Sequence, residues 1–439
     1  MTVPSPDPAS VTGAERLPAG PRLGRSPLAA QRAAAASREP TVLDALALLL
    51  EVADELVVRG ARDTHRAVAD RAQGLAARLT LGAADGPRLL HDGIAGGVYG
   101  GIGAGLRAAA RGTTALAAGG RGPAIEAHPA GRHLRAAVNG LIGDRLAAED
   151  RRMAIPLAVR VDGRDVEPTR PALAAAYPDA EPRVAVLLHG LGESEAIWTL
   201  GREARGTTYP EELAAAGWTP VLLRMNTGLG LRVNGVALSA LLARLVEGWP
   251  VPVERVALVG HSMGGLVVRA ASAVRTAGAE GAAGAAGAGD APGSRDWTER
   301  VTDVVTLGTP HRGAPLAGLV GDGSSLLGGL AETGAFGRVL DERSVGIRDL
   351  VEGLGHDVPL LPHARYRLVS ATLTRSPRHP LGRLVGDLLV REHSAYGRRR
   401  GADDVFADAD VETLHVGGVD HFALVNHPDV ARALARWLA

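Results

Sequence analysis

The sequence predicts an α/β fold, a mostly parallel sheet with helices on both faces, preceded by a helical amino-terminal region. Three observations carry this. From about Ile155 onward, short apolar runs alternate with helix-length segments, the texture of a parallel sheet covered on both sides. Within that alternation a serine stands in Gly260-His261-Ser262-Met263-Gly264, directly after the apolar run Arg255–Val259 and before a helical stretch opening Gly265-Leu266-Val267-Val268. Residues 41–148, by contrast, carry helical periodicity: Leu43, Leu46, Leu50, Val52 and Leu56 approximate one apolar face, and amphipathic runs cover 64–79 and 134–146.

The expected strands are 157–161, 184–189, 220–224, 255–259, 301–307, 366–371 and 411–416. Between them, Pro210 suits the first turn of a helix that stops at Gly217, Asn234 is placed to cap the run 236–246, and the last helix starts near Pro428 with Val430, Leu434 and Leu438 on one side. The chain thus divides into a disordered segment at 1–40, rich in Pro, Ala, Arg and Ser without periodicity, a helical domain at 41–150 and an α/β domain at 151–439. An Ala/Gly stretch at 277–297 reads as a disordered surface insertion, and the Gly-rich 316–344, just past a strand end, as a candidate lid loop. Residues 92–106 place Ile94, Val98, Ile102 and Leu106 four apart among glycines. That pattern favours close helix–helix packing, with peripheral docking to a membrane or partner as the alternative reading.

Composition narrows the function classes. A chain of 439 residues exceeds one typical core, and 46% hydrophobic content suits a globular protein. Every basic residue is Arg, yet the formal net charge is zero, so no global basic field favours nucleic acid. The absence of Cys removes disulfides, thiolate chemistry and Cys-ligated metals. No metal-ligand spacing of the H-E-x-x-H kind and no phosphate-binding loop occurs, so neither a metal nor a nucleotide cofactor is expected. The terminus Met1-Thr2-Val3-Pro4 lacks the pattern of a signal peptide, and 41–58 carries Asp44, Glu51, Asp54 and Glu55, so a cytoplasmic location without a spanning helix is expected.

The chemistry rests on Ser262. A serine held at the tip of a strained strand-to-helix turn needs neighbours two residues away that lack side chains, which Gly260 and Gly264 supply. Chance provides about a quarter of one such match in this composition, so its placement between strand and helix is what gives it weight. Acyl transfer then needs a base, an acid to orient it and donors for the oxyanion, arriving in the α/β-hydrolase arrangement in the order Ser, Asp or Glu, His. His421, just past the strand 411–416, is placed as the base, with His427 better explained by the adjacent helix start. Asp387 follows the penultimate strand after a loop and precedes three apolar residues expected to anchor it; Asp403, Asp404 and Asp420 are the competitors. The oxyanion donors expected are the N–H groups of Met263 and of Leu191, in the loop His189-Gly190-Leu191-Gly192-Glu193, where His189 supports the loop. The run Leu307-Gly308-Thr309-Pro310-His311-Arg312-Gly313 could wall an acyl pocket or hold the turn.

Taken together, His189-Gly-Leu-Gly, Gly260-His-Ser-Met-Gly-Gly, Leu307-Gly-Thr-Pro-His-Arg-Gly-Ala-Pro and Asp420-His-Phe-Ala-Leu-Val-Asn-His-Pro resemble lipases and esterases of the α/β-hydrolase superfamily. The nearest likeness is to the GPI inositol-deacylase-like (PGAP1-like) branch, over 155–439, and the helical region resembles one attached to actinobacterial relatives. The resemblance implies cofactor-free hydrolysis of carboxylic esters, often lipid-like. Ser262 would be the nucleophile, His421 the base, Asp387 the orienting acid, and Leu191 and Met263 the oxyanion donors. A thioesterase or acyltransferase using the same triad, or a catalytically silent binding protein on this fold, are the alternatives.

Overall fold

The computed structural model describes residues 39–58, 62, 65, 85–149, 151–283, 297–314, 344–355, 357–376, 378–398 and 404–439. Among these residues eight strands form one sheet in the order β2-β1-β4-β3-β5-β6-β7-β8. They are β1 (Ala158–Val161), β2 (Arg164–Val166), β3 (Arg183–Leu188), β4 (Thr219–Arg224), β5 (Arg255–His261), β6 (Val301–Leu307), β7 (Arg365–Thr372) and β8 (Asp410–Gly417). From β4 to β8 all neighbours are parallel, and β1 pairs antiparallel with both β4 and β2. All seven expected strands are present, and β2 is an addition. Its three residues Arg164-Asp165-Val166 are mostly exposed, so no apolar run marks it.

The central strands read as continuous apolar runs because both sheet faces are covered, and side chains alternate between them. Val184, Val186, Leu188, Val256 and Leu258 point into one core, shared with Leu238, Leu242, Leu266 and Trp297. Ala185, Leu187, Ala257, Val259 and Val305 point into the other, with Trp198, Tyr209, Val430 and Leu434.

The helices that matter are α1 (Val42–Val52), α2 (Asp85–Ala118), α3 (Pro129–Ala148), α4 (Tyr209–Ala215), α5 (Leu231–Gly248), α6 (Met263–Ala283), α7 (Val345–Glu352) and α8 (Pro428–Trp437). Thr41 caps α1 in a reciprocal box with Asp44. Thr208 caps α4, which has Pro210 in its first turn as expected. Asn234 corrects an expectation: α5 begins three residues earlier, behind Gly230, and the Asn234 amide donates to the carbonyls of Asn226 (2.9 Å) and Leu229 (3.3 Å). It therefore braces the preceding loop from inside the helix. Helix α6 runs on to Ala283, into the stretch expected as a disordered insertion, and Trp297 at the far end of that stretch is buried; 284–296 of the insertion, the segment before Glu39, and 316–343 of the expected lid lie outside the described residues, as does nearly all of the run 64–79.

The Gly-rich stretch lies inside α2. Close approach occurs at Gly103, where a Cβ would fall 2.5 Å from Asp54 Oδ1, an atom of the carboxylate paired with Arg107. A Cβ on Gly93, Gly96, Gly97, Gly100, Gly101 or Gly105 would meet nothing within 4 Å, and Ile94, Val98 and Ile102 are exposed. The expected close packing is thus confined to one glycine among the described residues, because the row spaced by four faces away from α1. No described helix is long and apolar enough to cross a membrane.

Residues Glu39–Ala439 form one compact unit, and charge ties α3 and the turn before it to the sheet edge. Glu126, in the turn before α3, accepts from Arg135 of α3, from Arg224 of β4 (2.6 Å) and from Arg160 of β1 (3.2 Å). Arg160 also reaches Glu195 (2.9 Å) and Asp165, and Arg224 reaches Asp165 at 3.0 Å. All three guanidinium groups are buried. Burial alone would raise the Glu126 carboxyl, but Arg224 and Arg135 outweigh it and hold it at about 2, below its ordinary 4.5. Its contribution to stability is therefore present above pH 4.5 and lost as pH falls toward 2. Glu126→Gln should destabilise the fold at neutral pH by about 3–5 kcal/mol, because it strands buried cations. Denaturant titrations in steps from pH 7 to pH 2 should show the gap between variant and wild type closing across that acid range.

Candidate active site

Strand β5 delivers Ser262 into the turn before α6 with φ of 51°. The left-handed region costs a residue with a Cβ roughly 1–2 kcal/mol, so the surroundings must enforce it. They do so by close backbone approach on both sides. A Cβ on Gly260 would lie 2.5 Å from Gly265 Cα, and one on Gly264 would lie 2.5 Å from the Leu188 carbonyl oxygen and 2.6 Å from that of His189. The Ser262 N–H donates to the Leu307 carbonyl at 2.8 Å, fastening the turn to β6. From the end of β3, Gly190 closes over the serine: a Cβ there would stand 2.9 Å from Ser262 Cβ.

His421 follows β8 after Gly417 and Gly418, and its Nδ1 lies 2.8 Å from Asp387 Oδ2. Both side chains are buried. The Asp387 carboxylate is held by its own loop: Oδ1 accepts from the N–H groups of Leu389 (3.0 Å) and Val390 (2.7 Å), while the Asp387 carbonyl accepts from the His421 N–H at 3.0 Å. This corrects the anchoring expected from the three apolar residues after Asp387. Only Val390 is buried; Leu388 and Leu389 are exposed, and Leu388 has φ of 85°. The turn's hydrogen bonds, not apolar packing, set the carboxylate. Because Nδ1 donates to Asp387, Nε2 carries the free lone pair, and it is buried with no hydrogen-bond partner among the described residues.

The other candidates are occupied elsewhere. His427 caps α8, its Nδ1 accepting from the Asp429 N–H at 3.2 Å. Asp420 accepts from the N–H groups of Phe422 and Ala423, and Asp404 pairs with Arg398; Asp403 lies outside the described residues. The run after β6 packs under the site: a Cβ on Gly308 would lie 2.9 Å from His421 Cε1. His311 within it is buried between Arg269 and Thr306, at 3.4 and 3.3 Å, and burial followed by the Arg269 charge pushes its imidazole well below the ordinary value.

In the loop after β3, His189 Nε2 accepts from the Met225 N–H at 3.1 Å, so its proton sits on Nδ1, which donates to the Gly190 carbonyl at 2.9 Å. The N–H of Gly190 goes to Glu193 Oε2, that of Gly192 to Thr227 Oγ1 and that of Glu193 to the Gly190 carbonyl, and the Leu191 N–H is uncommitted among the described residues. Met263, the first residue of α6, has its N–H free for the same geometric reason that all helix starts do. Two further residues were not singled out in the sequence. Glu193 Oε2 and His261 Nδ1 are 3.0 Å apart, and the His261 ring centroid lies 4.8 Å from that of His421. Burial raises Glu193, but His261 outweighs it and brings the carboxyl below its ordinary value; burial lowers His261, but Glu193 outweighs it and raises the imidazole. Both residues stand inside quoted motifs, yet their pairing spans 68 positions and leaves no local signal. No group of three or more His, Asp or Glu among the described residues is arranged to hold a metal ion.

This sheet, with its serine turn, acid and histidine each following a parallel strand, is the α/β-hydrolase fold. Residues 240–319, spanning the serine turn and the run after β6, match the family model of the PGAP1-like alpha/beta domain. Among solved structures, the mature Bacillus licheniformis lipase BlEst2 is 18% identical with a TM-score of 0.40, covering 64% of this chain and 97% of that one. EstA from Clostridium botulinum is 15% identical (TM-score 0.35, 59% and 86% covered), and naproxen esterase (carboxylesterase NP) from Bacillus subtilis 13% identical (0.34, 60% and 84%). No curated protein sequence matches the chain.

The packing at Gly264 yields a direct test. Gly264→Ala forces a methyl against two backbone carbonyls that cannot rotate away, and should cost about 1–3 kcal/mol of stability, read as a lowered denaturant midpoint with an unchanged slope.

Proposed function

We propose that the protein is a serine hydrolase that cleaves carboxylic esters of apolar acyl groups through Ser262, His421 and Asp387. The observation that carries this reading is a serine in a left-handed strand-to-helix turn together with a buried histidine whose Nδ1 is committed to a buried carboxylate and whose Nε2 is free. In the reaction Ser262 Oγ attacks the ester carbonyl carbon while His421 Nε2 takes the hydroxyl proton. Asp387, already bonded to Nδ1, stabilises the imidazolium and holds the ring in the required tautomer. The N–H groups of Leu191 and Met263 receive the carbonyl oxygen as it becomes an anion, each worth about 3 kcal/mol in the transition state. His421 then protonates the departing alcohol, and a water molecule, deprotonated by the same nitrogen, releases the acid from the acyl-enzyme.

Apolar acyl chemistry is supported by the side chains beside the acid and the base. Leu388, Leu389 and Phe422 are exposed; Leu388 adjoins the buried Asp387, Phe422 adjoins the buried His421, and the Phe422 ring stands 5.7 Å from that of His421. Exposed apolar groups gathered next to a polar centre suit a substrate with a greasy acyl part and a polar carbonyl.

A fluorophosphonate should label the wild type at Ser262, seen by mass mapping of the labelled peptide, and should not label Ser262→Ala. With p-nitrophenyl esters of graded chain length, Asp387→Asn should lower kcat by about four orders of magnitude, because the amide presents the wrong partner to Nδ1 and favours the other tautomer. A folded wild type that takes no label and turns over no ester would remove the hydrolase reading.

A further inference from the structure

One carboxylate oxygen ties together the two parts of the site that must stay in register. Glu193 Oε2 accepts from the Gly190 N–H at 2.7 Å and from His261 Nδ1 at 3.0 Å. Gly190 immediately precedes Leu191, and His261 immediately precedes Ser262. Their strands are adjacent, with Leu188 of β3 in register with Gly260 of β5. On the far side of Leu191, Gly192 is fixed by its bond to Thr227 Oγ1 and by α3, where a Cβ on Gly140 would lie 3.1 Å from Gly192 Cα. Leu191 is thus clamped on both flanks while its own N–H stays uncommitted. The other edge of the His261 ring faces the His421 carbonyl at 3.4 Å.

Nothing in the sheet calls for this pair. A buried, hydrogen-bonded acid–base pair gains little stability over an apolar pair of the same shape. What a fully hydrogen-bonded buried pair supplies is one fixed geometry. We propose that Glu193 and His261 form a positioning pair that sets the Leu191 N–H against Ser262 and His421. This rests on the ester hydrolase reading, and it assigns the pair no contact with substrate.

The pair predicts a loss in turnover, not in substrate binding, because the oxyanion exists only in the transition state. With p-nitrophenyl esters, Glu193→Ala should lower kcat about 100-fold, the size expected for one misplaced oxyanion donor, with KM within about threefold. Glu193→Gln should recover most of that loss, since its carboxamide oxygen can accept from Gly190 and from a neutral His261 in place of Oε2. Where Glu193→Ala does not fold, His261→Phe serves: it keeps a ring against His421, removes the donor and should lower kcat to a similar degree. If both fold, the double variant should be little slower than either single, as befits two ends of one unit. A variant that keeps the wild-type kcat, a loss confined to KM, or a Gln variant as slow as Ala would each overturn the positioning role while leaving ester hydrolysis standing. A wild type inert to both ester and fluorophosphonate would overturn the two together.

Discussion

The approach of three backbones around Ser262 is the constraint on which the rest of the site depends. The end of β5, the first turn of α6 and the end of β3 come so close that Cβ atoms on Gly260 and Gly264 would collide with main chain. This crowding leaves the serine no room to relax from its left-handed backbone. It also brings the loop after β3 against Ser262, where a Cβ on Gly190 would meet the serine's own Cβ at 2.9 Å. The sheet supplies the force: β3 and β5 are buried on both faces by two apolar cores, and neither can move without opening both.

Around that rigid centre, Asp387 and His421 are held differently. Asp387 and His421 arrive on loops after β7 and β8, and each is fixed by hydrogen bonds more than by packing. The Asp387 carboxylate satisfies one oxygen with its own turn and offers the other to Nδ1, and the main chains of the two residues are also bonded. Such an arrangement tolerates exposed neighbours. Leu388 and Leu389 can therefore face outward without loosening Asp387.

How much of this could be read from the sequence follows the range of each interaction. The seven apolar strands were legible because a strand buried on both faces must be apolar throughout, and the serine turn because its steric demands fall on residues two positions away. That Asp387 and His421 would each follow a strand end could be read from the order of the strands. What escaped has physical reasons. Strand β2 is short and exposed, so no pattern records it. Asn234 looked like a cap because caps and loop braces use the same short amide. The manner of fixing Asp387 was misread because apolar neighbours do not say which way they point. The Glu193–His261 bond joins residues far apart in the chain, and only the parallel register of β3 and β5 brings them together.

The contact least legible of all is the one between helix α3 and the site. Helix α3 meets the loop after β3 through glycine on glycine, Gly140 against Gly192. A backbone contact of this kind has no side-chain signature. The same helix gives the Gly143 carbonyl to Asn226 and the Gly140 carbonyl to Ser344, and Asp144 accepts from the Val345 N–H. It therefore links the loop after β4, the start of α7 and the oxyanion loop. Just before it, Glu126 neutralises arginines rooted in β1 and β4. Those arginines would be costly to bury unpaired, so the edge of the sheet and the preceding helices stabilise each other. The loop after β3 thus has α3 on one side and the Glu193–His261 bond on the other, which makes α3 part of the framework around Ser262.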